Sequence, residues 1–242
     1  MGEFVAAGLL SHVPTIMLPE QTRRSLNEGK ELSLVTALRQ LRQDVFETMD
    51  YDTVIVLDSH WFTTVEFIVT AHHRRAGLFT AEELPRGMCR IPYEWRGDPE
   101  FAHAIASHAD EVGTWITPID DEYLPLYYPS INLWSYLGKG LDKQWLSMSV
   151  CQTADTEDYL RVGRAIGKAI HDVDRKVIIL ATGSLSLAFG DFAEAYTIVD
   201  RMGMRTLRDP FTAKPYVKFY TTRRTGGGVV NFEAVKFIKF ST

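Results

Sequence analysis

Long apolar runs are missing from this chain: the longest uninterrupted ones, residues 4–10 and 177–181, fall far short of the ~20 residues that cross a bilayer. No membrane span is expected, and the first residues lack the charged, apolar and small-residue order of a secretion signal. Cysteine is scarce. Cys89 and Cys151 stand alone without a CxxC partner, so a disulfide framework is excluded, both thiols are expected to be inert, and a reducing cytoplasm is the expected compartment. Basic charge is not in excess either: 26 Lys and Arg against 31 Asp and Glu leave −5 over 242 residues, which makes nucleic acid an unexpected partner. Gly226-Gly227-Gly228 lacks the GxGxxG and P-loop patterns and reads as a turn between strands, while Gly183-Ser184 does not fit GxSxG. Nucleotide binding and serine hydrolysis therefore lack support.

What remains is ordinary globular material, 45% hydrophobic and 24% charged, which excludes disorder and fibrous repeats. Residues 4–10, 53–57, 145–150 and 177–181 are short runs that are mostly apolar on both faces, as central parallel strands must be. Between them, Leu32, Val35, Leu38, Leu41 and Val45, and later Leu160, Val162, Ile166, Ala169, Ile170 and Val173, recur at three- and four-residue steps. Strands that alternate with helices predict an α/β fold, a mostly parallel central sheet with helices on both faces, in a single domain over residues 1–242. Residues 81–99, with three prolines, two glycines and several arginines, read as a long functional loop or an excursion over the sheet. From Arg201 onward nine Lys or Arg face only Asp209 and Glu233, so a C-terminal region of about 195–242 is basic. Its readings are a solvated face, a docking surface, or attraction of an anionic substrate.

Ligands of open α/β sheets gather beyond the carboxyl ends of the strands. The first strand runs into Ser11-His12-Val13-Pro14, the second into Asp58-Ser59-His60-Trp61, and a late one into Thr182-Gly183-Ser184-Leu185-Ser186. Two histidines at matching strand ends make His12 and His60 candidate metal ligands, with Asp58 a candidate to orient one of them. The two imidazoles should then converge over one cleft. His103, His108, His171 and the pair His72-His73 are expected on the solvated surface, with one of that pair an alternative cleft residue.

These strand ends, with Gly77-Leu78-Phe79-Thr80, Glu83-Leu84-Pro85, Tyr93-Glu94-Trp95-Arg96-Gly97-Asp98-Pro99-Glu100, Ala181-Thr182-Gly183 and the closing Thr225 to Asn231 segment, run in the order found in a known family. The chain resembles the class III (LigB-type) extradiol ring-cleaving dioxygenases, especially the branch acting on 3,4-dihydroxyphenylacetate. The resemblance implies a non-haem Fe(II) held by two histidines and a glutamate, with His12 and His60 matching the histidines. It implies O₂ and a small catecholic or aminophenolic ring as reactants, and a homo-oligomer or a paralogous partner subunit. Two departures stand out. Leu187 occupies the position of the family's acid/base histidine, and the Gly-Glu-Gly segment that carries the glutamate is absent, with neither Glu194 nor Glu233 matching it. The third ligand is thus unassigned. An active divergent enzyme, a non-catalytic subunit, and a chain that lost residues around 195–224 stay open as accounts. Arg86, Arg90 and Arg96 are candidates for a substrate carboxylate or simply parts of a solvated loop.

Overall fold

The computed structural model describes residues 2–82, 84–183, 196–209 and 218–229, which fall into two compact units, Met1–Ala188 with Ile238–Thr242, and Phe189–Phe237. The first unit is an eight-stranded, mostly parallel sheet of β1 (Glu3–Leu10), β2 (Thr53–Thr63), β3 (Phe67–Thr70), β4 (Arg74–Phe79), β5 (Ile91–Arg96), β6 (Ile116–Ile119), β7 (Gln144–Cys151) and β8 (Lys176–Thr182), in the order β1-β8-β2-β7-β3-β6, with β5 pairing with β7 and β4 with β5. Its core strands are β1 (Glu3–Leu10), β2 (Thr53–Thr63), β7 (Gln144–Cys151) and β8 (Lys176–Thr182), which coincide with the apolar runs of the sequence. Alternation along them feeds two cores. In β2, Val54 and Val56 point to one face and Ile55 to the other, and all three are fully buried.

Helix α2 (Ser33–Leu41) covers the first face with Val35 and Leu38, and α4 (Tyr128–Leu133) adds Tyr128, Ile131 and Leu133. Helices α3 (Pro99–Val112) and α5 (Thr156–Asp172) cover the second with Phe101, Ile105, Val162, Ile166 and Ile170. Each of this latter pair starts where local chemistry dictates. Asp98 accepts a hydrogen bond from Phe101 N ahead of Pro99, and Asp155 and Asp158 form a reciprocal capping box. Helix α1 (Glu20–Leu26) is short and partly exposed.

Three expectations need correction. Residues 81–99 are not one loop: β5 (Ile91–Arg96) lies within them and pairs antiparallel with β4 (Arg74–Phe79), its alternating exposure hidden in sequence by Pro92. The triple glycine is not a turn. In the second unit, a two-stranded ribbon of β9 (Tyr196–Asp209) and β10 (Lys218–Val229), Gly226, Gly227 and Gly228 pair with Val199, Ile198 and Thr197, because a backbone ladder requires no side chain. His72 is buried rather than solvated, since its Nε2 meets the Asp121 carbonyl at 2.8 Å after β3 (Phe67–Thr70). The remaining strand, β6 (Ile116–Ile119), forms the far edge beside β3. Among the described residues no helix is long and apolar enough to cross a membrane.

Candidate functional site

The order β1-β8-β2 brings three carboxyl ends side by side: Leu10 is opposite Thr182, and Ala181 is opposite Leu57. Beyond Leu10 the chain leaves the sheet through Ser11 and His12. Beyond Asp58, β2 stops keeping step with β7. Asp58 pairs with Ser149 and Phe62 with the very next residue, Val150, so Ser59, His60 and Trp61 are thrown out of the ladder as a wide bulge. Bulges of this kind re-aim side chains at the rim of a sheet.

Two groups hold the bulge. Thr182 Oγ1 accepts from Ser59 N at 2.8 Å and donates to the Leu57 carbonyl at 3.0 Å. The fully buried Asp58 carboxylate accepts from His60 N at 3.0 Å, and from Ser130 N and Oγ at 3.3 and 2.7 Å. Burial pushes the acidity of Asp58 toward higher pKa, and the Ser130 and His60 hydrogen bonds pull it back. Asp58 thus positions the backbone at His60 rather than its ring.

Helix α4 supplies the counterpart. Asn132, wholly buried, donates to the His12 carbonyl at 2.7 Å, and Tyr128 places its hydroxyl 2.7 Å from His60 Nε2. One helical turn therefore fixes both histidine-bearing segments. The two imidazoles converge as expected, with ring centroids 5.0 Å apart and planes at 84°, and the Tyr128 ring lies 4.4 Å from His60 and 5.5 Å from His12. Tyr127 stacks over Trp61 beside them at 6.3 Å.

Burial, with the neighbouring His60 second, pulls the His12 pKa down to about 4, partly offset by the Leu10 backbone, so its imidazole is neutral at physiological pH. His12 Nδ1 is buried and has no hydrogen-bond partner. A neutral imidazole with an orphaned nitrogen, edge-on to a second imidazole, is a lone-pair donor set that fits a borderline metal ion such as divalent iron or zinc. Among the described residues no group of three or more His, Cys, Asp and Glu could hold a metal ion, so a third donor of those types is not brought to the pair.

The other expectations divide. Leu187, Glu194 and Glu233 lie outside the described residues. His73, His103 and His171 are exposed, and His108 is ion-paired with Glu111 and Asp172. Arg86 and Arg90 are exposed, and Arg96 pairs with Asp142 at 2.9 Å. Tyr128, Ser130 and Asn132 were not singled out by sequence reasoning. Their signal was polar residues inside an otherwise apolar helix that opens with Pro129 in its first turn.

Comparison with known proteins places the chain by its sequence. Residues 6–207 match the family model described as the catalytic LigB subunit of aromatic ring-opening dioxygenase. The chain is 30% identical over 194 residues to the 3,4-dihydroxyphenylacetate 2,3-dioxygenase of Escherichia coli, covering 79% of this chain and 68% of that protein. It also overlaps the crystal structure of an uncharacterized Escherichia coli K12 protein, with TM-score 0.43 and 16% identity, over 69% of this chain and 57% of that one. On its sequence match, the chain belongs to the LigB family, the class III extradiol ring-opening dioxygenases.

Proposed function

We propose that this chain binds divalent iron through His12 and His60 and opens a small aromatic ring bearing adjacent hydroxyl groups, or a hydroxyl and an amino group, with O₂. The observation that carries the reading is the convergence of two strand-end imidazoles at 5.0 Å, one of them carried on the bulge of β2. When bound, iron supplies adjacent open positions for a chelating diol and O₂. The chain's own residues do the rest. His12 stays a neutral donor at working pH, and Asn132 and Asp58 hold the two backbones. The same reading makes the protein cytoplasmic and an oligomer of itself or of a paralogous subunit.

A second reading is favoured by Leu187, which has no proton to move where the family carries its acid/base histidine. Loss of a positioned acid/base group costs ~10²–10⁴ in rate, which is compatible with a subunit that binds metal and ligand without turnover. O₂ uptake by the iron-loaded protein with 3,4-dihydroxyphenylacetate, with mass spectrometry of the ring-opened product, separates the two. Uptake above that of free iron supports the enzyme. Iron bound without uptake supports the non-catalytic subunit, and failure to bind iron overturns the enzyme reading.

A further inference from the structure

We propose that a cleft at the amino-terminal edge of the sheet, remote from the histidine pair, binds a small planar aromatic carboxylate. The cleft lies between the end of β5 and the turn that leads into β7, and its volume of about 510 Å³ falls within the ~300–1,000 Å³ of small-molecule sites. Arg96 on its wall pairs with Gln144, the first residue of β7, and Thr53 at the start of β2 pairs with the same residue. His60 lies at the other end of β2, roughly 20 Å away at ~3.3 Å per residue. Occupation of the cleft therefore requires no metal, and the inference stands apart from the iron reading.

The sequence opens the cleft by what it omits. Gly138 and Gly140 line it without side chains, and a Cβ at Gly138 would stand 2.5 Å from the Trp145 ring, so the backbone there rests directly on an indole. Trp145 Nε1 is buried with no hydrogen-bond partner. Trp95 and Trp134 form the wall, their ring centroids 5.2 Å apart. Indole edges and faces of this kind are what a flat ring packs against. The rim supplies charge: Arg74, Arg96, Lys139 and Lys143 line the cleft against only two carboxylates, Glu94 and Asp142. Arg74 pairs with Glu94 and Arg96 with Asp142, both in exposed pairs, while Lys143 donates to the Tyr51 carbonyl. Lys139 has no carboxylate partner among the described residues. Arg75, directly across the ladder from Trp95, adds a buried guanidinium that donates to the Leu124 carbonyl and leaves Nη1 unpartnered. An excess of cations beside indoles is complementary to an anion with a flat apolar body, which neither phosphate nor a neutral ring provides.

The test is calorimetric. Full-length protein is titrated with 2-naphthoate, with its neutral counterpart naphthalene-2-methanol and with inorganic phosphate, beside Lys139→Glu, Lys139→Arg, His12→Ala and the remote charge reversal Lys30→Glu. Lys139 and Lys30 are both exposed, so their variants leave the core untouched. Wild type, Lys139→Arg, His12→Ala and Lys30→Glu should each bind one equivalent of 2-naphthoate with equal affinity, and Lys139→Glu should bind it ~10-fold more weakly. The neutral alcohol and phosphate should each bind the wild type at least ~10-fold more weakly than the carboxylate does. Absence of 2-naphthoate binding at millimolar concentration overturns the inference, as does affinity unchanged in Lys139→Glu or reduced equally in Lys30→Glu. Binding lost in His12→Ala places the ligand at the histidine pair and overturns it too, and phosphate bound as tightly as 2-naphthoate overturns the aromatic class.

Discussion

Asp58→Ala is the perturbation that most sharply separates a structural device from a chance contact. The carboxylate is 1% exposed and accepts from two backbone N–H groups, those of His60 and Ser130, and from the Ser130 hydroxyl. The hydroxyl keeps Ser147 Oγ at 2.9 Å when Asp58 is removed, so only the two N–H groups are orphaned. Each buried, unsatisfied donor costs about 1–3 kcal/mol, which sums to about 2–6 kcal/mol. Relief of the buried carboxylate's desolvation offsets part of this and favours the lower half, about 2–4 kcal/mol, against the about 5–15 kcal/mol that holds a typical domain together. Urea unfolding of the metal-free protein, followed by circular dichroism, reads the loss as a shift in midpoint at constant m-value. Asp155→Ala, which removes the exposed cap of α5, provides the scale at about 1 kcal/mol. If Asp58→Ala costs no more than Asp155→Ala, the bulge does not depend on the carboxylate and the positioning argument is wrong.

Three further outcomes are expected. Glu31 is held at a pKa of about 2, chiefly by its hydrogen bonds to Arg23, against an ordinary value of 4.5. Its folded pKa is depressed, so its contribution is full above pH 4.5 and lost as pH falls toward 2; Glu31→Gln should flatten the acid limb of a stability–pH curve in that window and leave the alkaline limb unchanged. A Cβ at Gly97 would stand 1.9 Å from the His72 carbonyl oxygen, a backbone atom that cannot step aside, so Gly97→Ala should cost about 3 kcal/mol, the upper end of overpacking, in the same urea assay. Gly163, inside α5 with nothing within 4 Å of its missing Cβ, is the opposite case, and Gly163→Ala should raise stability by about 0.5–1 kcal/mol.

The parts of the fold legible in the sequence are those encoded by short-range pattern. Val54-Ile55-Val56 could only be a strand buried on both faces, and the spacing of Val162, Ile166, Ala169 and Ile170 could only put one stripe of a helix against the sheet. The two histidines were legible because strand ends in such sheets share an edge. Their supports were not, since these depend on pairs far apart in the chain. Asp58 and Ser130 are 72 residues apart, Tyr128 and His60 68, and Asn132 and His12 120. The bulge was hidden for the same reason: Ser59-His60-Trp61 leaves the ladder only relative to Ser149 and Val150, residues that no local window contains. His72 went astray because the carbonyl that satisfies it belongs to Asp121, 49 positions later.

Anaerobic titration of ferrous iron into the wild-type chain, beside His12→Ala and His60→Ala, tests the central claim most directly. The account predicts one equivalent bound by the wild type and a loss of more than ~100-fold in affinity in each variant, beyond the ~10–100-fold that removal of an outer-sphere partner causes. Equal affinity in all three proteins would contradict it and reduce both imidazoles to packing residues at the rim of the sheet.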